Sequence, residues 1–309
     1  MDRKLVSTLL VIGLLALSLA GCSGAAVKQT IAPAPQQVAE PGDGKGAVAI
    51  AAFNLLAGKQ GVRAAELLTA LEGSIRTVSR NEATAMIVAT EGAQRRDLPR
   101  LEETLSADGL QRKLDGLYRA GFDLGKAGEI SDAELRAAML AVLDGGYRVD
   151  TAEGMYFPVV DYGRYRQYRE IVTADLAAYI ELMAVESDRA PAKDAALVIG
   201  WNEIVRRALA QETFVRTYED SPRARDVSNL YRRYLSFVFF GANNTPLFAY
   251  DSLLMNAEAR TAYTAAASGG DSRLGGRLRE YMDLLAKKGY RVDAEVEEYR
   301  KQAVRELGE

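Results

Sequence analysis

The sequence predicts an all-α fold, and three observations carry that expectation. Beyond Ala47 apolar residues recur at intervals of three and four, no run alternates convincingly at a period of two, and clusters of Gly, Pro and Asn punctuate the apolar runs. The expected architecture is a multi-helix bundle or an array of helix pairs, with a short irregular segment near residues 145–160. The chain is long enough to bury a core, with 309 residues of which 48% are hydrophobic. It must do so without disulfides, because Cys22 is its only cysteine.

The first element is not part of that bundle. Arg3 and Lys4 precede an uncharged apolar run from Leu5 to Ala20, which is too short for a stable membrane span and ends in small residues. This is the pattern of a secretory signal. Its last four residues, Leu19-Ala20-Gly21-Cys22, resemble the lipobox of bacterial lipoproteins. That resemblance implies cleavage before Cys22, a diacylglyceryl group on its thiol, and a chain tethered to the lipid bilayer on the extracytoplasmic side of the cell membrane. Residues 1–21 are therefore expected to be leader, and residues 22–46 the lipidated cysteine and a Pro- and Gly-rich tether. The leader holds Arg3, Lys4 and Asp2, so whole-chain totals of 39 basic and 42 acidic residues become 37 and 41 in the remainder. So mild and interspersed a balance speaks against nucleic acid as a partner.

The helical part opens with Leu67, Leu68, Leu71, Ile75 and Val78 on one helix face, followed by Leu110, Leu114, Leu117 and Tyr118 on another. Stops are expected at 145–146, 241–244 and 268–270, and helix starts at Ser221-Pro222 and after Pro191. The region poorest in helical signal, residues 145–160, suggests a seam between an N-terminal unit, 47–145, and a C-terminal unit, 146–309. LRAAMLAVLDGGYRVD at 135–150 and LREYMDLLAKKGYRVD at 278–293 echo one another, each reading as a helix that ends on a left-handed glycine with an extended Tyr-Arg-Val leaving it. The segment 214–237, FVRTYEDSPRARDVSNLYRRYLSF, resembles the linker and second helix of tetratricopeptide-like repeats, without a 34-residue period to extend it. GYRVDTAEGMYFPVVDY and NNTPLFAYDS are similar to stretches of uncharacterised surface lipoproteins of Gram-positive bacteria, which implies location and no activity.

Several chemistries are excluded at once. The chain has no histidine, so Ser-His-Asp triads, Cys-His dyads and zinc sites with nitrogen or sulfur ligands are out of reach, and no phosphate-cradling glycine loop is present. No cofactor is expected. The segment 114–139 resembles an EF-hand: counted from Asp123, the sixth, ninth and twelfth loop positions are Gly128, Ser131 and Glu134. The third and fifth are Gly125 and Ala127, which carry no side-chain oxygen, and Ser131 with Glu134 also reads as a capping box. A capped helix-loop-helix without calcium is the expectation, with Asp123, Ser131 and Glu134 as the alternative metal ligands.

Two further candidates remain. Glu186-Ser187 resembles the catalytic Glu-Ser stretch of lytic transglycosylases, though the Gly-Leu-Met-Gln segment of that family is absent, and Glu186 would be the general acid if its environment raised its pKa. The stretch 146–171, GYRVDTAEGMYFPVVDYGRYRQYREI, is dense in aromatics and arginines. Tyr165, Tyr168, Val172, Leu176, Tyr179 and Met183 fall on one face of a helix expected from about Asp161 to Glu186, and are read as core. Glu153, Tyr156, Phe157, Asp161 and Tyr162, crowded ahead of that helix, are the expected binding surface. The favoured function is a membrane-anchored, non-enzymatic lipoprotein that binds a cell-wall or envelope partner. A calcium-modulated version and a transglycosylase-like enzyme are the alternatives.

Overall fold

The computed structural model describes residues 44–269 and 271–309, all of which fall in one compact unit, Val38–Glu309. The stretch read as leader, Cys22 and the rest of the chain up to residue 43 lie outside the described residues. Helix α1 (Gly44–Ala57) starts inside the stretch read as tether, because Gly46 is buried so closely that a Cβ there would lie 2.5 Å from the Thr77 carbonyl oxygen.

Helix α2 (Ala64–Ser74) buries Leu67, Leu68 and Leu71, as the periodicity requires. It packs on α3 (Arg80–Ser106), which also touches α1, α4 (Asp108–Arg119) and α5 (Ala133–Asp144). A capping box starts α3: the Ser79 N–H donates to Glu82 Oε2 at 2.8 Å while the Glu82 N–H donates to Ser79 Oγ at 3.4 Å. Its buried face carries Thr90, Glu91 and Gln94 beside Met86 and Ile87. Those polar residues interrupt the apolar pattern that would otherwise mark the central helix.

The segment expected to be irregular is an antiparallel hairpin, β1 (Tyr147–Ala152) and β2 (Met155–Val160). Its two-residue turn places Glu153 and Gly154 at positive φ, 52° and 76°, as a type I′ turn demands. Strand β2 packs on α3 and α4, so one hairpin face enters the core while the other faces outward. Both faces are apolar in part, which blurs the alternation. Pro158, lacking an N–H, is accommodated because each strand of a two-stranded ladder is an edge.

The helix expected from Asp161 to Glu186 is broken in two. A 3₁₀ stretch, Tyr162–Tyr168, precedes α6 (Ala174–Asp188), and the joint is held by the Thr173 N–H on Thr84 Oγ1 at 2.9 Å and by Arg80 on the Val172 carbonyl at 2.7 Å. Tyr165, Tyr168, Val172, Leu176 and Tyr179 are nonetheless all buried.

After Pro191 the chain forms a second small hairpin, β3 (Ala192–Lys193) and β4 (Ala196–Leu197), rather than a helix. Helices α7 (Trp201–Thr217) and α8 (Ala224–Phe240) then pack against each other, across the segment that resembles a tetratricopeptide linker. A third hairpin, β5 (Gly241–Ala242) and β6 (Thr245–Pro246), leads to α9 (Ala257–Ala267), α10 (Arg273–Lys287) and α11 (Ala294–Gly308). The helices α5, α8 and α9 end at the stops expected.

The core has two apolar clusters, one gathered by α1 to α6 with the first hairpin, the other by α7 to α11. They are stitched together by α7 and α8, which give Phe214 and Val227 to the first and Ile204 and Tyr234 to the second. The seam expected at residue 145 is therefore interior to the first cluster, because Tyr147 and Pro158 of the hairpin are buried there. Of the echoed helix exits, both glycines are left-handed, with φ of 72° at Gly146 and 61° at Gly289. Only the first runs into a strand: Tyr290 itself turns left-handed at 57°, and its N–H closes on the Leu285 carbonyl at 2.7 Å.

Candidate functional site

Residues of α3, the outer face of the first hairpin, α6 and the second hairpin line an open cavity of about 450 Å³. Its walls are largely apolar, formed by Leu98, Phe157, Val159, Val160 and Met183 together with three alanines. Polar groups enter from Arg95, Asp150, Tyr162, Glu186, Ser187 and Lys193. The strand period decides which hairpin residues take part. Asp150 pairs with Phe157 across the ladder, so both project to the cavity face, while Thr151 pairs with Tyr156 on the face that meets α4.

The floor is anchored by a carboxylate. Glu91, 3% exposed, accepts from Tyr162 Oη, from Tyr179 Oη at 3.2 Å, from Arg95 Nη2 at 2.7 Å and from Arg223. Arg223 also lies over the Tyr179 ring at 4.6 Å. Burial pushes the phenols of Tyr162 and Tyr179 up, Tyr179 to about 12, so both remain donors at neutral pH. Next to this cluster, Tyr165 Oη donates to Gln94 Oε1 at 2.7 Å, and Gln94 Nε2 donates to the carbonyls of Gly145 and Gly146 at 2.9 and 3.1 Å. The buried polar residues of α3 thus bind the tyrosines that the sequence places in the core.

On the opposite wall Glu186 is 11% exposed, and its Oε1 accepts from Tyr234 Oη at 2.6 Å and from Arg207 Nη1 at 3.1 Å. Burial raises its pKa, a shift opposed by the Tyr234 hydrogen bond and the Arg207 charge. The rim is a junction of hairpin tips. Lys193 pairs with Asp150 and donates to the Thr151 carbonyl at 2.9 Å, and the Glu153 N–H donates to Asp194 Oδ1 at 2.9 Å. Asp194 and Ala195 both hold positive φ, 51° and 58°. Such backbone costs roughly 1–3 kcal/mol per residue and persists where its surroundings hold it. Here Asn244 does so, its N–H meeting the Ala195 carbonyl and its side-chain amide the Asp194 carbonyl, both at 2.8 Å.

Of the expected binding surface, then, Phe157 and Tyr162 line the cavity and the other three residues do not. Tyr162 is buried, a correction to its reading as surface, because Glu91 supplies a partner for its hydroxyl inside the core. Tyr156 is half-buried on the far face, stacked on Tyr118 at 5.4 Å with its hydroxyl on Asp115 Oδ1 at 3.2 Å. Glu153 sits at the hairpin tip, and Asp161 caps the 3₁₀ turn by accepting from the Gly163 N–H at 3.0 Å. Glu186 reaches the cavity wall, and Asp188 instead pairs with Arg166 at 2.8 Å. Arg95, Asp150 and Lys193 were not singled out in the sequence, where they read as ordinary solvated charges.

The EF-hand-like loop is a 3₁₀ stretch, Leu124–Glu129, entered by Asp123 with its carboxylate on the Gly125 N–H at 2.9 Å. The cap of α5 is Asp132, bonded to the Leu135 N–H, and not Ser131, since the helix begins one residue later than the capping-box reading requires. Glu134 pairs with Lys113 at 2.8 Å. Among the described residues no group of three or more Asp, Glu, His or Cys side chains converges as metal ligands. Cys22 lies outside the described residues.

Comparison with protein-family models, with curated proteins and with solved structures returns no match for this chain.

Proposed function

We propose that this protein is a non-enzymatic binding module of the cell envelope, held to the extracytoplasmic face of a membrane through lipidated Cys22, and that it takes a small, mainly apolar molecule into the cavity between α3, α6 and the first two hairpins. The observation that carries this reading is the cavity itself. At about 450 Å³, with apolar walls and a few convergent polar groups, it lies within the roughly 300–1,000 Å³ typical of small-molecule sites. Phe157, half-buried on that wall, supplies an aromatic contact at little cost in ordering. The anchor reading draws on the Leu-Ala-Gly-Cys sequence and on the absence, among the described residues, of any helix long and apolar enough to cross a membrane.

Two measurements test the reading. Cys22→Ala moves the protein from the membrane to the soluble fraction, since buried acyl chains contribute about 0.8 kcal/mol per CH₂; full membrane retention would count against the lipobox. Titration with alkyl compounds of increasing length yields saturable one-to-one binding that Phe157→Ala weakens at least tenfold, and no saturable binding rejects the cavity as the site.

One observation favours a second reading, a transglycosylase-like acid: burial raises the pKa of Glu186 on the cavity wall. Against it, the oxygen Oε1 is already engaged by Tyr234 and Arg207. Release of soluble fragments from purified peptidoglycan, lost in Glu186→Gln, would establish that reading in place of the first.

A further inference from the structure

We infer that the cavity selects an apolar molecule with a terminal carboxylate, and that Arg95 reads the carboxylate. The inference rests on the binding reading above and adds the chemistry of the head group.

The charges around the cavity are unevenly matched. Glu186 is answered by Arg207, and Lys193 is answered by Asp150. The buried carboxylate of Glu91 faces two guanidiniums, those of Arg95 and Arg223. Asp226, the other acid in reach, is 42% exposed and stands 3.6 Å from Arg95 and 3.8 Å from Arg223, close enough to attract but too far for a hydrogen bond. One positive charge at the cavity floor is therefore matched only by a solvated partner.

Geometry places that charge on Arg95. Arg223 is 12% exposed and is not among the cavity-lining residues, whereas Arg95 lines the cavity and is 49% exposed. Its contacts with Glu91, Tyr179 and Asp226 use Nη2, and Tyr162 is a further hydrogen-bond partner. A guanidinium held by a buried carboxylate and two phenols, yet half exposed where it lines the cavity, is oriented before a ligand arrives, and it meets a carboxylate through charge-assisted N–H bonds. The apolar residues Leu98, Phe157, Val159 and Met183 line the same space and receive the body of the molecule. An ammonium head would meet Arg95 unfavourably and find the acids Glu186 and Asp150 already paired. A neutral head would use a single hydrogen bond where a carboxylate uses two.

The test compares three head groups on one tail. The full-length chain in nanodiscs of zwitterionic lipid is titrated calorimetrically with octanoate, octanol and octylamine, with empty discs as the blank. Octanoate binding at least tenfold tighter than octanol, and octylamine binding weaker than both, is the expected result. Arg95→Met abolishes the margin of octanoate over octanol, and Arg95→Lys recovers part of it. Equal affinity for octanoate and octanol, or a preference for octylamine, overturns the assignment to Arg95 and leaves the cavity as an apolar site. Failure of all three to bind overturns both the assignment and the cavity reading. Should Arg95→Met not fold, the head-group order on the unmodified protein decides the question alone.

Discussion

The phenol of Tyr162 donates to the carboxylate of Glu91, joining the start of the 3₁₀ turn to the middle of α3 across 71 residues of chain. Both groups are buried, and Arg223, 132 residues from Glu91, completes the cluster from the α7–α8 connection. This carboxylate is where the first apolar cluster meets the helix pair that carries the second. Glu91→Ala leaves the Arg223 guanidinium without its buried partner and strips two tyrosines of theirs. Removing one member of such a pair costs about 3–5 kcal/mol, so the variant is expected to unfold at much lower denaturant concentration, with Tyr162→Phe milder at about 1–3 kcal/mol. Equal, near-wild-type stability of both in urea titrations would show the cluster to be energetically idle.

The aromatic residues of the opening hairpin and turn divide by position. Tyr165 is 1% exposed and bonded to Gln94, whereas Phe157 is half-buried on the cavity wall. Tyr165→Ala is expected to lose about 3–5 kcal/mol, a large share of a stability of roughly 5–15 kcal/mol. Phe157→Ala stays within about 1 kcal/mol of the wild type and loses ligand instead. Thermal melts of the two variants, with and without octanoate, separate these outcomes. Tyr156→Ala, which gives up its stack on Tyr118 and its bond to Asp115, falls between them.

Glu186 makes stability depend on pH in a definite direction. Burial raises its folded pKa above the ordinary carboxylate value of about 4.5, so the folded state holds this proton more tightly than the unfolded state. Stability contributed by the protonated carboxyl is fully present below about pH 4.5 and declines as pH rises through the raised value. The neighbouring Glu203 is held down to about 2 by its hydrogen bonds to Arg206 and Arg207, so it does not titrate in this window. The unfolding free energy of wild type minus that of Glu186→Gln is therefore expected to fall with rising pH just above 4.5. A flat or rising difference would contradict the burial of the carboxyl.

Calcium is expected to change little. Glu134 and Asp132 are both paired with Lys113, and among the described residues no third acidic side chain joins them as a metal ligand. A ligand stabilises the folded state by RT ln(1 + [L]/Kd), so a weak site at millimolar calcium moves the thermal midpoint by only a degree or so. A large rise in the melting temperature that Glu134→Gln removes would show that a calcium cage assembles from this loop.

Much of the architecture was legible in the order of residues. Helical periodicity and its punctuation place the ends of α5, α8 and α9, and the repeated Gly-Tyr-Arg-Val marks two left-handed helix exits, because each depends on contacts within one or two turns of chain. Tyr165, Tyr168 and Tyr179 are buried as their spacing predicts even though the helix expected to carry them is broken, since their burial follows from their bulk and the aliphatic residues spaced among them.

The hairpin and the cavity were not legible, and the reasons are physical. β2 is apolar on both faces, one toward α3 and one toward the cavity, so alternation cannot reveal it; the hairpin register, which sends Phe157 to the cavity and Tyr156 away from it, exists only once the strands pair. Glu91 and Gln94 look in sequence like the solvated side of an amphipathic helix. They belong to the interior because partners 51 to 132 residues away supply their hydrogen bonds and countercharge, which makes burying them affordable. Local spacing determined where the helices lie; pairing across the chain decided which of their charges lie inside and where the cavity opens.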